Sequence, residues 1–569
     1  MDWVIKSKDK KIIEQFSNKF KISPFQASLI ANRGIKTIKD ADKYLNGKIK
    51  NLYFPYLLKD IKKSIEMIDF AIKNKKKITI YGDYDVDGIT ATAVAVRALK
   101  KVGAKVDYYI PNRLNEGYGL NKEAISKIKE KGTELIITVD NGITSVDEVK
   151  YAKELGLQII ITDHHNCPEM LPEADAIINP KQKDDRYPNK DLCGCALIWR
   201  VMETFYKYTY RDINFIYNLL PLVALSTVAD VVDLLDENRI LVKEGLKIIN
   251  SNKHSLIGLS ELIKSLNIEE VLSRDIGFKI APCINADGRL DNAQKAIELF
   301  LTNDSKKAKM LAENLKKINE KRKELTLKYF NEAEEYLKIN NLYDNKVLVL
   351  FLEKIPEGII GLVAGKIKEK YQVPTFVFTE GKDYYKASGR GVQGHPLDLY
   401  TAIQKTKDFW VKGGGHKMAC GISMKKNKKL LENFSQKLNE IADEMLQNKK
   451  FVPTLYVDGK INNLTEKICQ EVKILEPTGK ANAEALFVTD NLDIEKTKIV
   501  GDGTHISFDF GKNQKGIAFG KTFLYKELNS PSKIKVAYNP NIDIYTSESF
   551  SGLISKRTIK MYIKDIKNN

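Results

Sequence analysis

The sequence predicts an α/β protein that combines a parallel sheet, a long connecting helix, a second and smaller α/β domain and a C-terminal β-barrel. Three observations lead to this prediction. Between about residues 78 and 180, apolar β-type runs alternate with helical patterns, which is typical of a parallel sheet with crossover helices. From 306 to 340, apolar residues recur at helical spacing. Beyond residue 450, short β-type runs are separated by Gly, Asn and Asp.

Length and charge limit the classes of protein that the chain can belong to. At 569 residues it is too long for one core, so we expect three or four domains. The formal net charge of +18 favours a polyanionic partner, although a Lys-rich surface also serves solvation alone. Six cysteines without a CxxC pair suit a reduced cytoplasm. The first residues lack an apolar segment and the longest apolar stretch, 219–229, is too short for a membrane span, so we expect a soluble, cytoplasmic protein.

The predicted parallel sheet places charged residues at one of its edges. The predicted strands are 78–81, 106–110, 135–139, 158–162 and 176–178, with a helix at 89–101. Asp83, Asp85 and Asp87 follow the first strand, Asp140 follows the third, and residues 163–165 follow the fourth. In open α/β sheets the carboxyl ends of the strands are where ligands bind, so we expect these side chains to converge.

The rest of the chain is mostly helical before it becomes strand-like. Residues 196–300 are predicted to be helical and contain Asp230 after an apolar run. The helix 306–340 is amphipathic, which predicts a domain connector or, less simply, a coiled-coil surface. A second α/β unit covers about 345–445, opens with the strand 347–351 and contains Gly413 to Gly415 before His416. The final β-type runs, 485–489, 506–510, 517–519, 534–538 and 560–566, predict a small barrel of the OB type.

The three alternating aspartates before Gly88 indicate a metal site. So many carboxylates in one place need compensating cations, and a bridging carboxylate can hold two divalent ions roughly 3.5–4 Å apart. Oxygen ligands with one or two imidazoles favour Mn²⁺ or Mg²⁺ over zinc. A calcium loop of the EF-hand type is the alternative, but its twelfth position would be Val94 instead of Glu.

Two other short motifs are weaker signals. The glycines before His416 form a tight turn or let backbone amides approach a phosphate, and the spacing of a Walker loop is absent. Cys193 and Cys195 are a redox or metal pair or, more simply, small residues that pack a loop, because two further ligands are missing nearby.

Taken together, these motifs resemble those of the DHH phosphoesterase superfamily and, within it, the RecJ family of single-strand-specific exonucleases. The four superfamily motifs correspond to residues 83–88, 139–142, 163–165 and 227–230. Further segments similar to RecJ are 32–35, 110–113, 116–119, 284–289, 388–390 and 414–419. The resemblance covers nearly the whole chain. It departs at Ile355-Pro356, where many relatives have Trp-His, and at 476–482, which follows the usual pattern only loosely.

The resemblance implies a role for individual residues. The implied metal ligands are Asp85, Asp87, Asp140, His164 and Asp230, with His165 near the scissile phosphate and Asp83 in support. The implied contacts to the strand are Arg113, Ser388 and Arg390 on its 5′-terminal phosphate, Arg289, Gly415 and His416 on its backbone, and Tyr118 on a base. Taken singly, Arg113 is equally explained as a solvated loop residue, Ser388 as a turn cap and Tyr118 as a core residue.

The resemblance also implies domains and an activity. The expected domains are an N-terminal extension (1–50), a DHH catalytic domain (51–300), a connecting helix (301–342), a DHH-associated substrate-binding domain (343–447) and an OB-fold nucleic-acid-binding domain (448–569). The expected activity is metal-dependent hydrolysis of single-stranded DNA from the 5′ end to mononucleotides, in DNA repair and recombination. A monomer is expected, with a helicase or single-strand-binding protein as a candidate partner and no membrane association.

Two other functions remain open from the sequence. A phosphodiesterase acting on short oligonucleotides or cyclic dinucleotides would use the same ligands, but such relatives are usually shorter. A non-catalytic nucleic-acid-binding scaffold would not need its metal-binding side chains, whereas each of these positions here has a suitable ligand.

Overall fold

The computed structural model describes residues 1–113, 116–117, 119–251, 254–447, 451–501, 503–549 and 552–568. The chain divides into two units, and within the described residues we number strands β1 to β19 and helices α1 to α21 in chain order. The larger unit comprises Leu52–Val232 and Ile240–Pro453. The smaller unit comprises Met1–Asn51, Asp233–Arg239 and Thr454–Asn569.

The first sheet of the larger unit is parallel, with strand order β3-β2-β4-β5-β6. Its strands are β2 Lys77–Tyr81, β3 Lys105–Tyr109, β4 Leu135–Val139, β5 Gln158–Thr162 and β6 Ala176–Ile178. Every residue of β4 is buried, because helices cover both faces of a parallel sheet. The strands predicted from the sequence are confirmed to within one residue.

Helices surround this sheet and continue beyond it. Asp85 caps the N-terminus of α5 and Asn121 that of α6, each through its side-chain oxygen. The first helices are α4 Ile61–Lys73, α5 Val86–Lys101, α6 Lys122–Glu130, α7 Val146–Glu154, α8 Gly194–Tyr208, α9 Ile213–Tyr217 and α10 Leu220–Ala229. The next are α11 Asp236–Asn250, α12 Ile257–Ser265, α13 Ser273–Asp275, α14 Ala281–Leu290 and α15 Gln294–Leu301, with a π-helical turn at Ile276–Ile280.

The predicted connecting helix is confirmed as α16, Ser305–Ile339. Asp304 caps its first turn, and its buried residues include Leu311, Leu315, Tyr329 and Ala333. This stripe packs on α12 and α14 and then on α17, so the apolar face lies inside the larger unit.

The second sheet of the larger unit has the order β10-β11-β9-β8-β7, in which only β7 and β8 are parallel. Its strands are β7 Leu348–Phe351, β8 Thr375–Glu380, β9 Tyr384–Arg390, β10 Lys412–His416 and β11 Ala419–Lys425. Its helices are α17 Glu357–Tyr371, α18 Leu399–Gln404 and α19 Lys428–Leu446. The second α/β unit predicted from the sequence is confirmed.

The smaller unit contains a seven-stranded sheet with the order β13-β14-β18-β19-β17-β16-β15, and a parallel pair of β1 with β12. Its strands are β1 Asp2–Ile5, β12 Thr454–Val457, β13 Gly459–Lys460, β14 Phe487–Asp493, β15 Lys496–Val500, β16 His505–Asp509, β17 Gln514–Ala518, β18 Lys533–Ser549 and β19 Gly552–Lys567. Its helices are α1 Lys10–Phe20, α2 Pro24–Ala31, α3 Ile38–Asn46, α20 Glu466–Glu471 and α21 Thr522–Glu527.

The sequence predicts a small barrel of the OB type, and the smaller unit has a seven-stranded sheet in this part of the chain. Within the described residues no ladder joins the edge strands β13 and β15, so no closed barrel is detected. Helices of the first 51 residues supply part of the core instead: Phe16 and Ile30 share one apolar cluster with Phe487 and Tyr538. Alternation in the strands predicts an apolar face, but it does not say whether strands or distant helices cover that face.

No helix in the described part of the chain has both the length and the apolar character needed to cross a lipid bilayer.

Candidate metal centre and phosphate-binding cavity

Loops at the carboxyl edge of the first sheet bring the predicted metal ligands together. Asp83 and Asp85 follow β2, Asp140 follows β4, and His164 follows β5, and these three strands are neighbours. Asp230 approaches from outside the sheet as the C-cap of α10. The convergence that the strand order predicts is therefore present in the fold.

His164 lies at the centre of the cluster. Its Nε2 is 3.1 Å from Oδ1 of Asp140, 3.6 Å from Oδ2 of Asp230 and 3.7 Å from Oδ2 of Asp87. Three sets of potential ligand atoms lie within 4.8 Å of one another: Asp83, Asp85 and Asp140; Asp87, His164 and Asp230; and Asp140, His164 and His165.

The carboxylate of Asp87 is held by the N-terminus of α8. The backbone N–H groups of Gly194 and Cys195 each donate to it at 2.7 Å, and the hydroxyl of Ser226 donates to the same group. Backbone donors at a helix N-terminus stabilise an anion there. Gly194 also permits the close approach of Asp140, since a Cβ at Gly194 would lie 2.6 Å from the Cβ of Asp140.

The backbone at Asp140 has the left-handed conformation, with φ of 62°. Such a conformation is uncommon for a residue other than glycine and occurs preferentially at functional sites. The buried side chain of Asn141 supports this turn by donating to the carbonyl of Val139 at 2.9 Å and to that of Tyr81 at 3.3 Å.

Burial and mutual repulsion disfavour the charged forms of these carboxyl groups. Burial, together with the charge of Asp87, raises the pKa of Asp140 well above its usual range and that of Asp230 to about 8. Burial and the charge of Asp85 raise the pKa of Asp83 in the same way. The cluster thus lacks positive charge, which is the condition that a bound cation relieves.

The pKa values of the two histidines in the 163–165 motif are shifted in opposite directions. Burial lowers the pKa of His164 to about 4, which leaves a neutral imidazole able to act as a metal ligand. Burial also lowers the pKa of His165, but the hydrogen bond and charge of Asp163 outweigh it and raise that pKa to about 9.

These side chains fit a divalent metal of the hard type. The ligand atoms are carboxylate oxygens and a neutral imidazole, and the buried Oδ1 of Asp83 accepts no hydrogen bond within the described residues. Oxygen ligands with one imidazole suit Mn²⁺ or Mg²⁺, and no cysteine thiol belongs to the described ligand sets.

A cavity of about 400 Å³ lies within the same unit, and three of the predicted end-binding residues line it. Arg113 approaches from the loop after β3, and Ser388 and Arg390 from β9. Nη1 of Arg390 donates to Oγ of Ser388 and to the carbonyl of Gly389, each at 2.8 Å. The two side chains are therefore held side by side in the cavity wall.

The first two turns of α17 complete this wall. A Cβ at Gly361 would lie 2.4 Å from Nη2 of Arg390 and 3.0 Å from Oγ of Ser388, so the glycine makes room for both groups. This fifteen-residue helix also brings its N-terminus to the cavity, where backbone N–H groups favour an anion.

Arg113 and Arg289 form the side of the cavity next to the metal loop. The guanidinium of Arg113 lies over the ring of Tyr84, 5.1 Å from its centroid, and Tyr84 stands between Asp83 and Asp85. Nη1 of Arg289 donates to the carbonyl of Gly358 at 3.0 Å. Burial and the nearby charges of Arg113 and Arg390 lower the pKa of Arg289 to about 10, which shows that the arginines are crowded.

The other residues predicted to contact the strand are not found among the described residues of the cavity wall. Gly415 and His416 lie on the exposed strand β10 and do not line the cavity, and Tyr118 lies outside the described residues. Sequence reasoning missed the donors to Asp87 at Gly194, Cys195 and Ser226. It also gave no role to Asp163 apart from its motif, and it missed Tyr84, Lys386 and Lys412 in the cavity wall.

Comparison with known proteins shows which family the chain resembles. Residues 77–227 match the model described as DHH family, N-terminal domain; 344–444 match the DHHA1 domain; and 457–555 match the RecJ OB domain. The single-stranded-DNA-specific exonuclease RecJ of Bacillus subtilis (strain 168) is 34% identical over 98% of this chain and 70% of its own. The chain belongs to the RecJ family. The RecJ of Escherichia coli (strain K12) is 31% identical over 92% of this chain and 93% of its own.

Solved structures of the RecJ family include metal-bound forms. RecJ from Thermus thermophilus in complex with Mn²⁺ has a TM-score of 0.82 and 25% identity, covering 100% of this chain and 80% of that chain. An exonuclease RecJ bound to manganese has a TM-score of 0.59 and 30% identity, covering 68% of this chain and 94% of that chain.

Proposed function

We propose that the chain is a metal-dependent exonuclease that hydrolyses single-stranded DNA from the 5′ end to mononucleotides, in DNA repair and recombination. One observation carries this proposal: a cluster of metal-ligand side chains adjoins a cationic cavity, with Tyr84 of the metal loop in the cavity wall. The names of the relatives, single-stranded-DNA-specific exonucleases, support the choice of substrate.

We assign two ions, Mn²⁺ or Mg²⁺, to Asp85, Asp87, Asp140, His164 and Asp230, with Asp83 in a supporting role. Bound metal would lower the pKa of a water molecule and neutralise the charge that develops on the scissile phosphate. Asp87 is oriented for this task by its two backbone donors, and Nε2 of His164 lies within 4 Å of three carboxylates.

His165 acts beside the scissile phosphate. Its ring Nδ1 lies 2.7 Å from Oδ1 of Asp163, and the hydrogen bond and charge of Asp163 favour the protonated imidazole by raising its pKa. A protonated imidazole stabilises negative charge on a phosphate oxygen, and the side chain is accessible to substrate because it is 44% exposed.

The cavity selects the strand end. Arg113, Ser388 and Arg390 bind the terminal 5′-phosphate, because guanidinium groups give charge-assisted hydrogen bonds to phosphate oxygens. Arg289 contacts the adjoining backbone. On the outer strand, Gly415 and His416 contact the backbone farther along, and Tyr118 stacks on a base.

We retain the five domains expected from the sequence: 1–50, 51–300, 301–342, 343–447 and 448–569. The matches to the DHH, DHHA1 and RecJ OB models support the second, fourth and last of these in outline. The OB domain would hold the strand through charge and stacking. We also propose that the protein is a cytoplasmic monomer that receives strands opened by a helicase or covered by a single-strand-binding protein.

The test uses three substrates of equal concentration: a 5′-phosphorylated single strand, the same strand in a blunt duplex, and a cyclic dinucleotide. With Mn²⁺ we expect mononucleotides from the single strand alone and no products in the presence of chelator. Faster turnover of the cyclic dinucleotide would instead indicate a phosphodiesterase for short substrates, and no turnover of any substrate would indicate a scaffold.

The Asp140→Asn variant provides a second readout. It should abolish hydrolysis and remove one of the Mn²⁺ binding events seen by calorimetry, whereas Asp147→Asn, on the exposed surface of α7, should preserve both. Unimpaired turnover by Asp140→Asn would refute the metal assignment.

A further inference from the structure

The second sheet continues the cavity beyond the residues that hold the terminal phosphate. In the ladders of β9, β11 and β10, Ser388 pairs with Gly421 and Gly421 with Gly414. The next row on the same face is Lys386, Ser423 and Lys412, because alternate residues of a strand point to one side. The two rows are thus about 6.8 Å apart along the strands.

In the row of Ser388, Gly421 and Gly414, only Ser388 has a side chain. A Cβ at Gly414 would meet nothing within 4 Å, and a Cβ at Gly421 would meet only the carbonyl of Ala387 at 3.6 Å. A larger residue would therefore fit at either position, and packing alone does not explain the two glycines. The glycines leave a flat floor between the Arg390 side and the Lys386 side of the sheet.

The two lysines form a second cationic group on this floor. Nζ of Lys386 donates to Oγ of Ser423 at 3.0 Å, which places the amine in its own row, away from Ser388. Lys412 stands across Ser423 from it, and both lysines line the cavity. Within the described residues, neither lysine has a carboxylate within 4 Å. Two ammonium groups that form no ion pair within the described residues, at one end of a cavity, favour an anionic ligand there.

The charge of the whole cavity exceeds what a terminal monophosphate balances. The cationic lining residues are Arg113, Arg289, Lys386, Arg390 and Lys412, and the one carboxylate among the described lining residues is Glu357. A terminal monophosphate carries about −2 at neutral pH. A triphosphate carries about twice that charge, and its outer phosphates extend by several ångströms, which is about the distance between the two rows.

We infer that Lys386 and Lys412 form a subsite for the outer phosphates of a strand whose 5′ end carries a di- or triphosphate. This inference rests on the proposed function, since Ser388 and Arg390 must hold the phosphate next to the sugar. The enzyme then accepts 5′-polyphosphorylated ends directly, without prior removal of the outer phosphates.

The first turnover on such an end has a distinctive product. Water adds to phosphorus of the first internucleotide phosphodiester, and the bond from that phosphorus to the 3′-oxygen of the terminal nucleotide breaks. The 3′-oxygen takes a proton and leaves in a nucleoside 5′-triphosphate, while the shortened strand keeps the phosphate as a 5′-monophosphate. The phosphoanhydride bonds are not broken, and every later turnover begins from a monophosphate.

The experiment compares DNA oligonucleotides of one sequence that carry a 5′-monophosphate or a 5′-triphosphate labelled on the γ-phosphate. With the full chain and Mn²⁺, we expect labelled nucleoside triphosphate as the first product, at a kcat/KM no lower than that for the monophosphate strand. In the double variant Lys386→Gln, Lys412→Gln, the ratio of the two kcat/KM values should fall about tenfold. This ratio is independent of the fraction of folded enzyme, because one preparation hydrolyses both strands.

Lys425 is the matched control. It is an exposed lysine of β11, one row beyond Ser423 on the same face, and it does not line the cavity, so Lys425→Gln should leave the ratio unchanged.

A second measurement is strand binding by fluorescence anisotropy in the presence of chelator. There the double variant should lose affinity for the triphosphate strand more than for the monophosphate strand.

Three outcomes would overturn the inference. Hydrolysis of the monophosphate strand without release of nucleoside triphosphate would leave the proposed function intact and exclude the subsite. Equal losses on both strands would mean that the lysines contact the strand generally. If Lys425→Gln lowered the ratio of kcat/KM values by the same factor, the effect would come from the basic surface in general and not from a subsite. Inactivity on both strands would contradict the proposed function itself.

Discussion

Asp163 fixes His165 through two hydrogen bonds to a single carboxylate oxygen. Oδ1 of Asp163 lies 2.7 Å from Nδ1 of His165 and also accepts the backbone N–H of His165 at 3.0 Å. The other oxygen accepts the N–H of Ile143 at 2.9 Å, from the loop that follows Asp140. The first residue of the 163–165 motif therefore connects the loops after β4 and β5, and it sets the ring orientation of the histidine that we propose acts beside the scissile phosphate.

Asp163→Asn should lower kcat about 10- to 100-fold, because an amide orients a neighbouring imidazole less well than a carboxylate does. The KM for a single strand should change little, since Asp163 is buried behind His165 and does not line the cavity. Asp175→Asn is the matched control: Asp175 also accepts a backbone N–H, from Ile159 at 2.8 Å, but at the other end of β5. A raised KM with unchanged kcat in Asp163→Asn would contradict this role.

The convergence of the proposed metal ligands could be predicted from the sequence because Asp83, Asp140 and the 163–165 motif each come just after a short apolar run. Strand order in a parallel sheet then brings Asp83, Asp140 and His164 to one edge. The donors that orient Asp87 could not be predicted, because Gly194 and Cys195 stand more than 100 positions away and act through backbone N–H groups that any residue carries.

Strand register and packing between distant segments also could not be predicted from the sequence. The row of Lys386 and Lys412 depends on how β9, β11 and β10 align, and a slip of one residue would turn both side chains to the other face. In the smaller unit, Phe16 and Ile30 cover a sheet that lies more than 400 residues later in the chain. Neither the strand alignment nor this packing contact produces a local pattern in the sequence.

Gly361→Ala should weaken recognition of the 5′-phosphate. The new Cβ would lie 2.4 Å from Nη2 of Arg390, and this contact is with the end of a side chain, so Arg390 should move while the helix remains folded. We expect the KM for a 5′-phosphorylated strand to rise about tenfold, because a misplaced bidentate donor loses one charge-assisted hydrogen bond. Steady-state kinetics on phosphorylated and unphosphorylated strands measures the effect.

Gly365→Ala, in the same helix, is the control. A Cβ there meets nothing within 4 Å, so the substitution should stabilise the protein by about 0.5–1 kcal/mol through helix propensity and leave the KM unchanged. If both alanine variants had the same KM, crowding of Arg390 would not be the cause.

Arg390→Ala should reduce discrimination between 5′-phosphate and 5′-hydroxyl ends. Its guanidinium is held in place by Ser388 and the carbonyl of Gly389, so little ordering is needed when phosphate binds. Loss of a charge-assisted bond of about 1.5–3 kcal/mol predicts a fall of about 10- to 100-fold in the ratio of kcat/KM values for the two ends. Arg186→Ala, in an exposed loop of the same unit, should leave the ratio unchanged. Equal losses on both ends would show that Arg390 does not read the end.

His395 should make the stability of the larger unit depend on pH. The ring is 4% exposed, and its Nδ1 accepts the N–H of Leu397 at 3.1 Å, so the native state needs the neutral form. Burial lowers the pKa of His395 to about 4, below the value of about 6.5 in the unfolded chain. The unfolded state therefore binds the proton first as pH falls, and stability is lost from about pH 6.5 downward.

The size of this effect is testable by urea unfolding at pH 7.5 and pH 5. A shift from about 6.5 to about 4 predicts a loss of about 2 kcal/mol from His395 by pH 5. His395→Asn keeps an acceptor near the N–H of Leu397 but has no titratable group, so the free energy of unfolding of the wild type should fall by about 2 kcal/mol more than that of the variant over this range. All other groups titrate in both proteins and cancel in the comparison. Parallel pH dependence of the two proteins would mean that His395 is protonated in the native state or reaches water at no cost.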